Sequence, residues 1–345
     1  MSVSASRPAL QTETSCAICG THEYEVVGNR DRNGRPLRTV LCTSCGLVWT
    51  NPRPSDADVD RYYAASYRVD YAGQHVPSTR KILRGLIGAE ERRQIFAAEV
   101  IAGDHVLDIG CGAGEFVFLL RARGVDASGI EPGQEFSDFS RRVMQVPIQT
   151  ATVESATVAP ASQRLITMFH MLEHAADPRR TLSTIRSWLA PEGRLVVEVP
   201  SVDATVQAPA HRFHYAHLYN FTAATLGAIG EAAGLSVVRT LQSDDGGNVM
   251  CVFSVDANGP RGIAPVSLPD NVATLRRVFR THTTLGHYAG LTPYRRALHR
   301  LTRRRREDQQ LRRLPTIEAV LEWGRDLATG ARTSGVSVAV SERTR

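Results

Sequence analysis

The stretch Val106-Leu107-Asp108-Ile109-Gly110-Cys111-Gly112-Ala113-Gly114-Glu115-Phe116 constrains this chain most. An apolar strand runs into a glycine turn and then into a helix, and glycines there let the backbone approach a ligand closely. A dinucleotide loop has the same layout but needs G-x-G-x-x-G. Here the spacing is G-x-G-x-G, with Glu115 where the third dinucleotide glycine would stand. Asp108 and Glu115 flank the loop with negative charge, which repels a pyrophosphate and suits a ligand bearing an ammonium and a sulfonium. Glu131 lies 17 residues after Gly114, at the end of the second strand. An acid there can accept hydrogen bonds from both hydroxyls of a ribose.

The surrounding pattern alternates strands and helices. Strands are expected at 106–109, 127–130, 165–169, 195–199, 235–241 and 249–255, with helices at 116–123, 134–144, 179–189 and 222–233. Such alternation argues for an α/β fold, a doubly wound, seven-stranded, mostly parallel sheet. The last two strands lack a helix between them and are expected to form an antiparallel edge hairpin. The 345 residues divide into a module at 1–54, a helical connector at 55–100 with a Tyr-rich patch at 62–71, a core at 101–256, and a basic, mainly helical segment at 257–345. The tail after Thr329 is small and polar and is expected to fray, as are residues 1–15. With 42% apolar residues the chain can build a sizeable core. It has no apolar run of membrane-spanning length and no secretory h-region at its N-terminus, so a cytoplasmic protein is expected.

Four stretches together resemble the class I methyltransferases that bind S-adenosylmethionine: VLDIGCGAGEF at 106–116, GIEP at 129–132, MFHMLEHAADP at 168–178 and LVVEVPS at 195–201. The resemblance covers roughly residues 80–255. It implies that Asp108 and the backbone of Gly110, Cys111, Gly112 and Gly114 meet the methionine moiety, that Glu131 meets the ribose, and that the adenine sits near Thr152, Val153 and Glu154. It also implies that His170 to His174 border the cofactor. One departure is Arg164, where relatives often carry an Asp before the fourth strand.

Six cysteines are present, and Cys16, Cys19, Cys42 and Cys45 form two C-x2-C pairs separated by 22 residues. Gly20 and Gly46 follow the pairs directly. This is the spacing of a closed, structural zinc site, and in so small a segment the metal would supply folding energy. CAICG and CTSCGLVWTNPRP also resemble the zinc-bearing N-termini of bacterial methyltransferases that modify sugars, which implies a small zinc ribbon that helps cover the active site. An RNA-binding knuckle has the same composition. The core, with its own strands, is expected to survive loss of the metal.

Methyl transfer to a hydroxyl needs an acceptor held in line and a base for its proton. Histidines cluster in His211-Arg212-Phe213-His214-Tyr215-Ala216-His217-Leu218-Tyr219, after the fifth strand and so beyond the carboxyl edge, where an open α/β sheet binds ligands. His217 is the first candidate base, His214 the second and His174 the third, with Tyr219 orienting the acceptor. The rate is then expected to rise with pH through the ordinary histidine range. A metal set of His211, His214 and His217 is a further possibility of the spacing.

The charge is local. Between Arg276 and Arg313 stand 12 arginines against Glu307 and Asp308, a net of +10 in a chain of +6 overall, so the remainder sums to −4. Leu298, Leu301, Leu311 and Leu314 give this segment a broken apolar stripe by which it would pack on the core. Alternatively it meets an anionic partner: a membrane surface, placing the protein peripherally at the inner face, or, less favoured, RNA. The leading activity is transfer of a methyl group to a sugar hydroxyl of a small-molecule or glycan acceptor. Methylation of quinone or other aromatic lipid precursors, RNA methylation, and a non-catalytic adapter are the competing classes. The intact acid–glycine set argues against the last.

Overall fold

The computed structural model describes residues 10, 12–55, 57–58, 76–95, 103–257, 259, 266–330 and 340–342. The Tyr-rich patch at 62–71 and most of residues 1–15 lie outside them.

The N-terminal strands are β1 (Tyr24–Arg30), β2 (Pro36–Cys42) and β3 (Val48–Thr50). The turn between β1 and β2 closes on Asp31, whose Oδ1 accepts from the Asn33 and Arg35 amides at 2.9 Å each. Gly34 takes φ +77° there, where other residues would be strained. Of the connector, the described part is chiefly α1 (Thr79–Ile95).

The core then runs β4 (His105–Ile109), α2 (Glu115–Ala122), β5 (Asp126–Ile130), α3 (Gln134–Phe139), β6 (Ile148–Gln149), β7 (Gln163–Phe169), α4 (Pro178–Trp188) and β8 (Leu189–Pro200). After a long loop come β9 (Tyr219–Asn220), α5 (Ala223–Ala232), β10 (Leu235–Ser243) and β11 (Asn248–Val255). Local chemistry fixes the helix starts. Asp177 caps α4 by accepting from the Arg180 amide, with Pro178 in the first turn, and Thr222 and Thr225 form a reciprocal capping box on α5. The chain ends with α6 (Pro269–Thr281), α7 (Thr284–Ala289), α8 (Thr292–Arg313), α9 (Ile317–Thr329) and β12 (Val340–Glu342).

The large sheet has the order β12-β10-β11-β8-β7-β4-β5-β6. β6, β5, β4, β7 and β8 are parallel, and β11 runs antiparallel between β8 and β10. The expected seven-stranded, mostly parallel sheet and its antiparallel edge hairpin are both present. The addition is β12: residues 340–342 of the tail expected to fray pair with Leu241–Ser243 of β10.

Adjacent strand residues point to opposite faces, and both faces are covered, as a parallel sheet requires. Val106, Leu165 and Val196 face Leu86 of α1, Phe116 and Leu120 of α2, and Trp323 and Leu327 of α9. Leu107, Ile166 and Val197 face Leu182 and Ile185 of α4 and Leu226 and Ile229 of α5. Each such aliphatic side chain, fully buried, stabilises the fold by about 1.5–3 kcal/mol.

The second sheet has the order β1-β2-β3-β9. Its last strand comes from the loop after β8, so the expected boundary at residue 54 is crossed by strand pairing. Val48 pairs with Asn220 and Trp49 with Tyr219. Of the leucines expected to seat the basic segment, Leu311 and Leu314 pack on the core. Leu298 and Leu301 face outward. Among the described residues no helix is long and apolar enough to cross a membrane.

Candidate active site

The glycine loop leaves β4, the middle one of the five parallel strands. Gly110, Gly112 and Gly114 take φ +71°, +60° and +85°. The Gly110 and Cys111 amides donate to the Ile130 carbonyl at 2.8 and 3.1 Å, tying the loop to β5. A Cβ at Gly114 would meet Val146 Cγ2 at 2.8 Å, so glycine is required there for packing as well as for backbone shape. Cys111 is buried beneath the loop, against Gly129.

Asp108 is buried, and its Oδ1 accepts from the Thr167 hydroxyl of β7 at 2.7 Å. Burial pushes its carboxyl up to about 7, with Glu115 and Glu131 adding to the rise and the Thr167 bond and Arg92 opposing it. Three acids around one glycine loop make a site that gains by binding a cation. Glu131 does more than the sequence implied. One oxygen accepts from the Gly112 amide at 3.0 Å and the other from the Gly133 amide at 3.0 Å, so the carboxylate clasps the two loops together. Each oxygen keeps further acceptor capacity for a ribose hydroxyl. Val153 is buried in the turn after β6, and Glu154 beside it is exposed, accepting from Thr181 at 3.4 Å. Arg164 turns away from the loop to the Glu192 carbonyl.

A chain of alternating charge crosses the ends of β7 and β8. Arg92 lies over the Phe169 ring at 4.2 Å and meets Glu198 at 3.3 Å, and Glu198 meets His170 Nε2 at 2.9 Å. His170 Nδ1 stands 3.7 Å from Glu173. Burial opposes the charge on both central groups. Even so, Arg92 and His170 hold Glu198 at about 2, and Glu173 with Glu198 pushes His170 up to about 9. Sequence reasoning missed Glu198 and Arg92. The signal for Glu198 was an acid inside the apolar run LVVEVPS; Arg92 had none.

His170 also lines a cavity of about 240 Å³, together with Ser201, His214, His217, Asn220 and Asn248. The candidate bases therefore lie beside the glycine loop's end of the sheet. His174 Nδ1 donates to the Ala216 carbonyl at 2.7 Å, and the Ala216 amide donates to His214 Nδ1 at 3.2 Å. The His217 ring packs edge-on against His174 and His214, with centroids 4.9 and 5.1 Å away. Burial, then the neighbouring His174 and His214, holds His217 well below the ordinary histidine range.

The structure places two of the expected residues differently. Tyr219 of β9 pairs with Trp49 of β3 and is buried against Phe221, while strand alternation turns Asn220 to the cavity lining. His211 is exposed, and beside the cavity the potential ligand atoms that come within 4.8 Å of one another, among the described residues, are those of Glu173, His174 and His217, not of His211, His214 and His217.

Arg32, Arg212 and Arg296 line the same cavity, with Asp245. Arg32 comes from the β1–β2 turn, and its amide donates to the Phe213 carbonyl at 2.8 Å. Burial lowers Arg212 to about 10, with Asp203 opposing. A Cβ at Gly28 would meet Phe213 at 2.7 Å, so the module presses directly on the histidine loop.

The cysteine cluster lies at the far end of that module. Cys16 and Cys45 sulfurs are 3.5 Å apart, as are Cys19 and Cys42, and all four fall within 4.8 Å. A tetrahedral zinc with bonds of about 2.3 Å separates its sulfurs by about 3.8 Å, so the set fits. Gly20 and Gly46, at φ +73° and +77°, donate their amides to the Cys16 and Cys42 carbonyls, forming the two knuckles. Hydrogen bonds from Cys16 and then Cys45 hold the Cys42 thiol down to about 2, while Cys16 and Cys45 are pushed up. Four sulfurs this close need a cation to be anions together.

Residues 83–240 match the family model described as a methyltransferase domain. The chain is 25% identical over 276 residues to the C-methyltransferase NovU of Streptomyces niveus, covering 72% of this chain and 62% of that protein. It is 30% identical over 152 residues to the ubiquinone biosynthesis O-methyltransferase of Aeromonas salmonicida, covering 39% of this chain and 64% of that protein. The chain thus spans somewhat less than two-thirds of these curated relatives. Among solved structures, the 1,6-didemethyltoxoflavin-N1-methyltransferase of Burkholderia thailandensis aligns with a TM-score of 0.47 at 16% identity, over 61% of this chain and 96% of that one.

Proposed function

We propose that this chain, whose residues 83–240 match a methyltransferase domain, is a class I S-adenosylmethionine-dependent methyltransferase that transfers a methyl group to a hydroxyl of a small sugar or glycan precursor. The observation that carries this reading is the cavity itself: it is lined by His170, at the carboxyl edge of the cofactor strands, and by His214 and His217. S-adenosylmethionine, when bound, supplies a methyl carbon already activated by sulfonium. Asp108 and the glycine loop would hold its methionine end and Glu131 its ribose. An acceptor hydroxyl held in this cavity would give its proton to His217 as its oxygen takes the methyl group, with S-adenosylhomocysteine as the other product. Arg32, Arg212 and Arg296 suit an acceptor that carries negative charge. The zinc ribbon, with zinc on Cys16, Cys19, Cys42 and Cys45, holds the acceptor side of the cavity through β9.

NovU, by its name a C-methyltransferase, favours one second reading. The same base would take a proton from a carbon beside a carbonyl, and that carbon would attack.

Incubation of the purified chain with methyl-labelled S-adenosylmethionine and, separately, nucleotide sugars, polysaccharide, quinone precursors and RNA tests the acceptor. Label is expected on a sugar. Label on quinone precursors or RNA alone would overturn the acceptor class.

A further inference from the structure

The outward side of the C-terminal helices is apolar where a solvated basic helix would be polar. Leu285, Tyr288, Leu291, Tyr294, Leu298 and Leu301 are each between 50% and 83% exposed. From the capping Leu291 onward, the residues 291, 294, 298 and 301 recur at helical spacing, so they share one side of α8. Leu285 and Tyr288 of α7 carry the same chemistry just ahead of it.

The opposite side of α8 is spoken for. Glu307 follows Leu298 by nine residues, half a turn round the helix axis. It is buried, with Arg84 at 2.6 Å and Arg80 at 3.5 Å. Arg296, also on the inner side, donates to the Val206 carbonyl at 2.9 Å and lines the cavity. The stripe is therefore not a core face left loose; the helix is already seated by its other side.

Charge frames the stripe. Arg305 and Arg312 fall on its own side and Arg295 and Arg306 flank it, all exposed. The net of +10 between Arg276 and Arg313 belongs to this region. An apolar stripe edged by arginines, whose long stems can reach up to headgroups, matches an interfacial helix on an anionic bilayer. RNA would match the charge but would leave three leucines of α8 and its cap, and Leu285, in water.

We propose that the outer face of α7 and α8 seats on an anionic lipid bilayer, with these leucines and tyrosines in the interfacial layer and the arginines at the headgroups. The inner side of α8 then stays at the acceptor cavity while its outer side lies on lipid.

Co-sedimentation of the full chain with vesicles of phosphatidylcholine alone, and of phosphatidylcholine with phosphatidylglycerol, tests this at low and moderate salt. The expected result is sedimentation with the anionic vesicles and little with the neutral ones. Leu298→Ser with Leu301→Ser should lower the partition at least about tenfold at moderate salt. Arg305→Gln alone should lower it about fivefold. Both variants should keep the wild-type circular dichroism, since their side chains are exposed. Equal sedimentation of the leucine variant and wild type would overturn the proposal. So would equal binding to both vesicle types, RNA binding without vesicle binding, no binding at low salt, or a dimer in ultracentrifugation that the leucine substitutions dissolve without any vesicle binding.

Discussion

His217→Ala is expected to lower turnover by about 10²–10⁴-fold while leaving cofactor affinity unchanged. The ring lines the acceptor cavity, and the glycine loop and Glu131 that would hold the cofactor stand on β4 and β5, apart from it. The structure also changes the expected pH profile. An ordinary histidine base would give a rate that rises through its titration range. His217 is held well below that range by burial and by the neighbouring His174, His214, His170 and Arg32. It is therefore already unprotonated at neutral pH, and the rate should be flat with respect to this ring from about pH 6.5 upward, with its inflection lower. Steady-state kinetics of wild type and variant across this range check both points. An unchanged turnover in His217→Ala would move the role to His214, whose Nδ1 already accepts from the Ala216 amide. A wild-type rise centred in the ordinary histidine range would show that the ring is hydrated in the working enzyme.

Cys42→Ser is expected to cost zinc and, with it, about 100-fold in turnover. Elemental analysis should fall from one zinc per chain to none. The activity loss follows from the second sheet. β3 begins three residues after Cys45, and its pairing with β9 fixes the strand that follows His217 directly. The Thr50 amide donates to the Leu218 carbonyl at 2.9 Å, so release of β3 frees the backbone next to His217, the proposed base. A shift of about 1 Å in a reacting group is enough for a 100-fold loss. Cofactor binding should persist, because the Asp108 and Glu131 loops are held by the large sheet. Full turnover in a zinc-free variant would mean that the module merely covers the site. Retained zinc in both Cys42→Ser and Cys16→Ser would remove the metal assignment.

Where the sequence was informative, local physics carried the signal. The core strands show as short apolar runs because each is buried on both faces, and the glycine loop shows because left-handed φ values leave their residue type in the chain. The cysteine knuckles are legible for the same reason: Gly20 and Gly46 are needed where each pair turns. What was not legible depends on long-range pairing. Nothing local in Tyr219-Asn220 says that it will join β3, so Tyr219 read as a pocket residue and Asn220 went unremarked. The Glu198–His170–Glu173 chain joins two strands and a turn, and its charge balance exists only once Arg92 arrives from α1. The leucines of α8 had the right spacing for a packed stripe, but Leu298 and Leu301 face solvent because Glu307 and Arg296 anchor the other side of the helix.

Calorimetric titration with S-adenosylhomocysteine tests the methyltransferase reading most directly, since it needs no knowledge of the acceptor. One site per chain is expected, weakened by about 1–3 kcal/mol in Asp108→Ala and in Glu131→Ala. Tight binding of NAD with no heat from either S-adenosylhomocysteine or S-adenosylmethionine would contradict it.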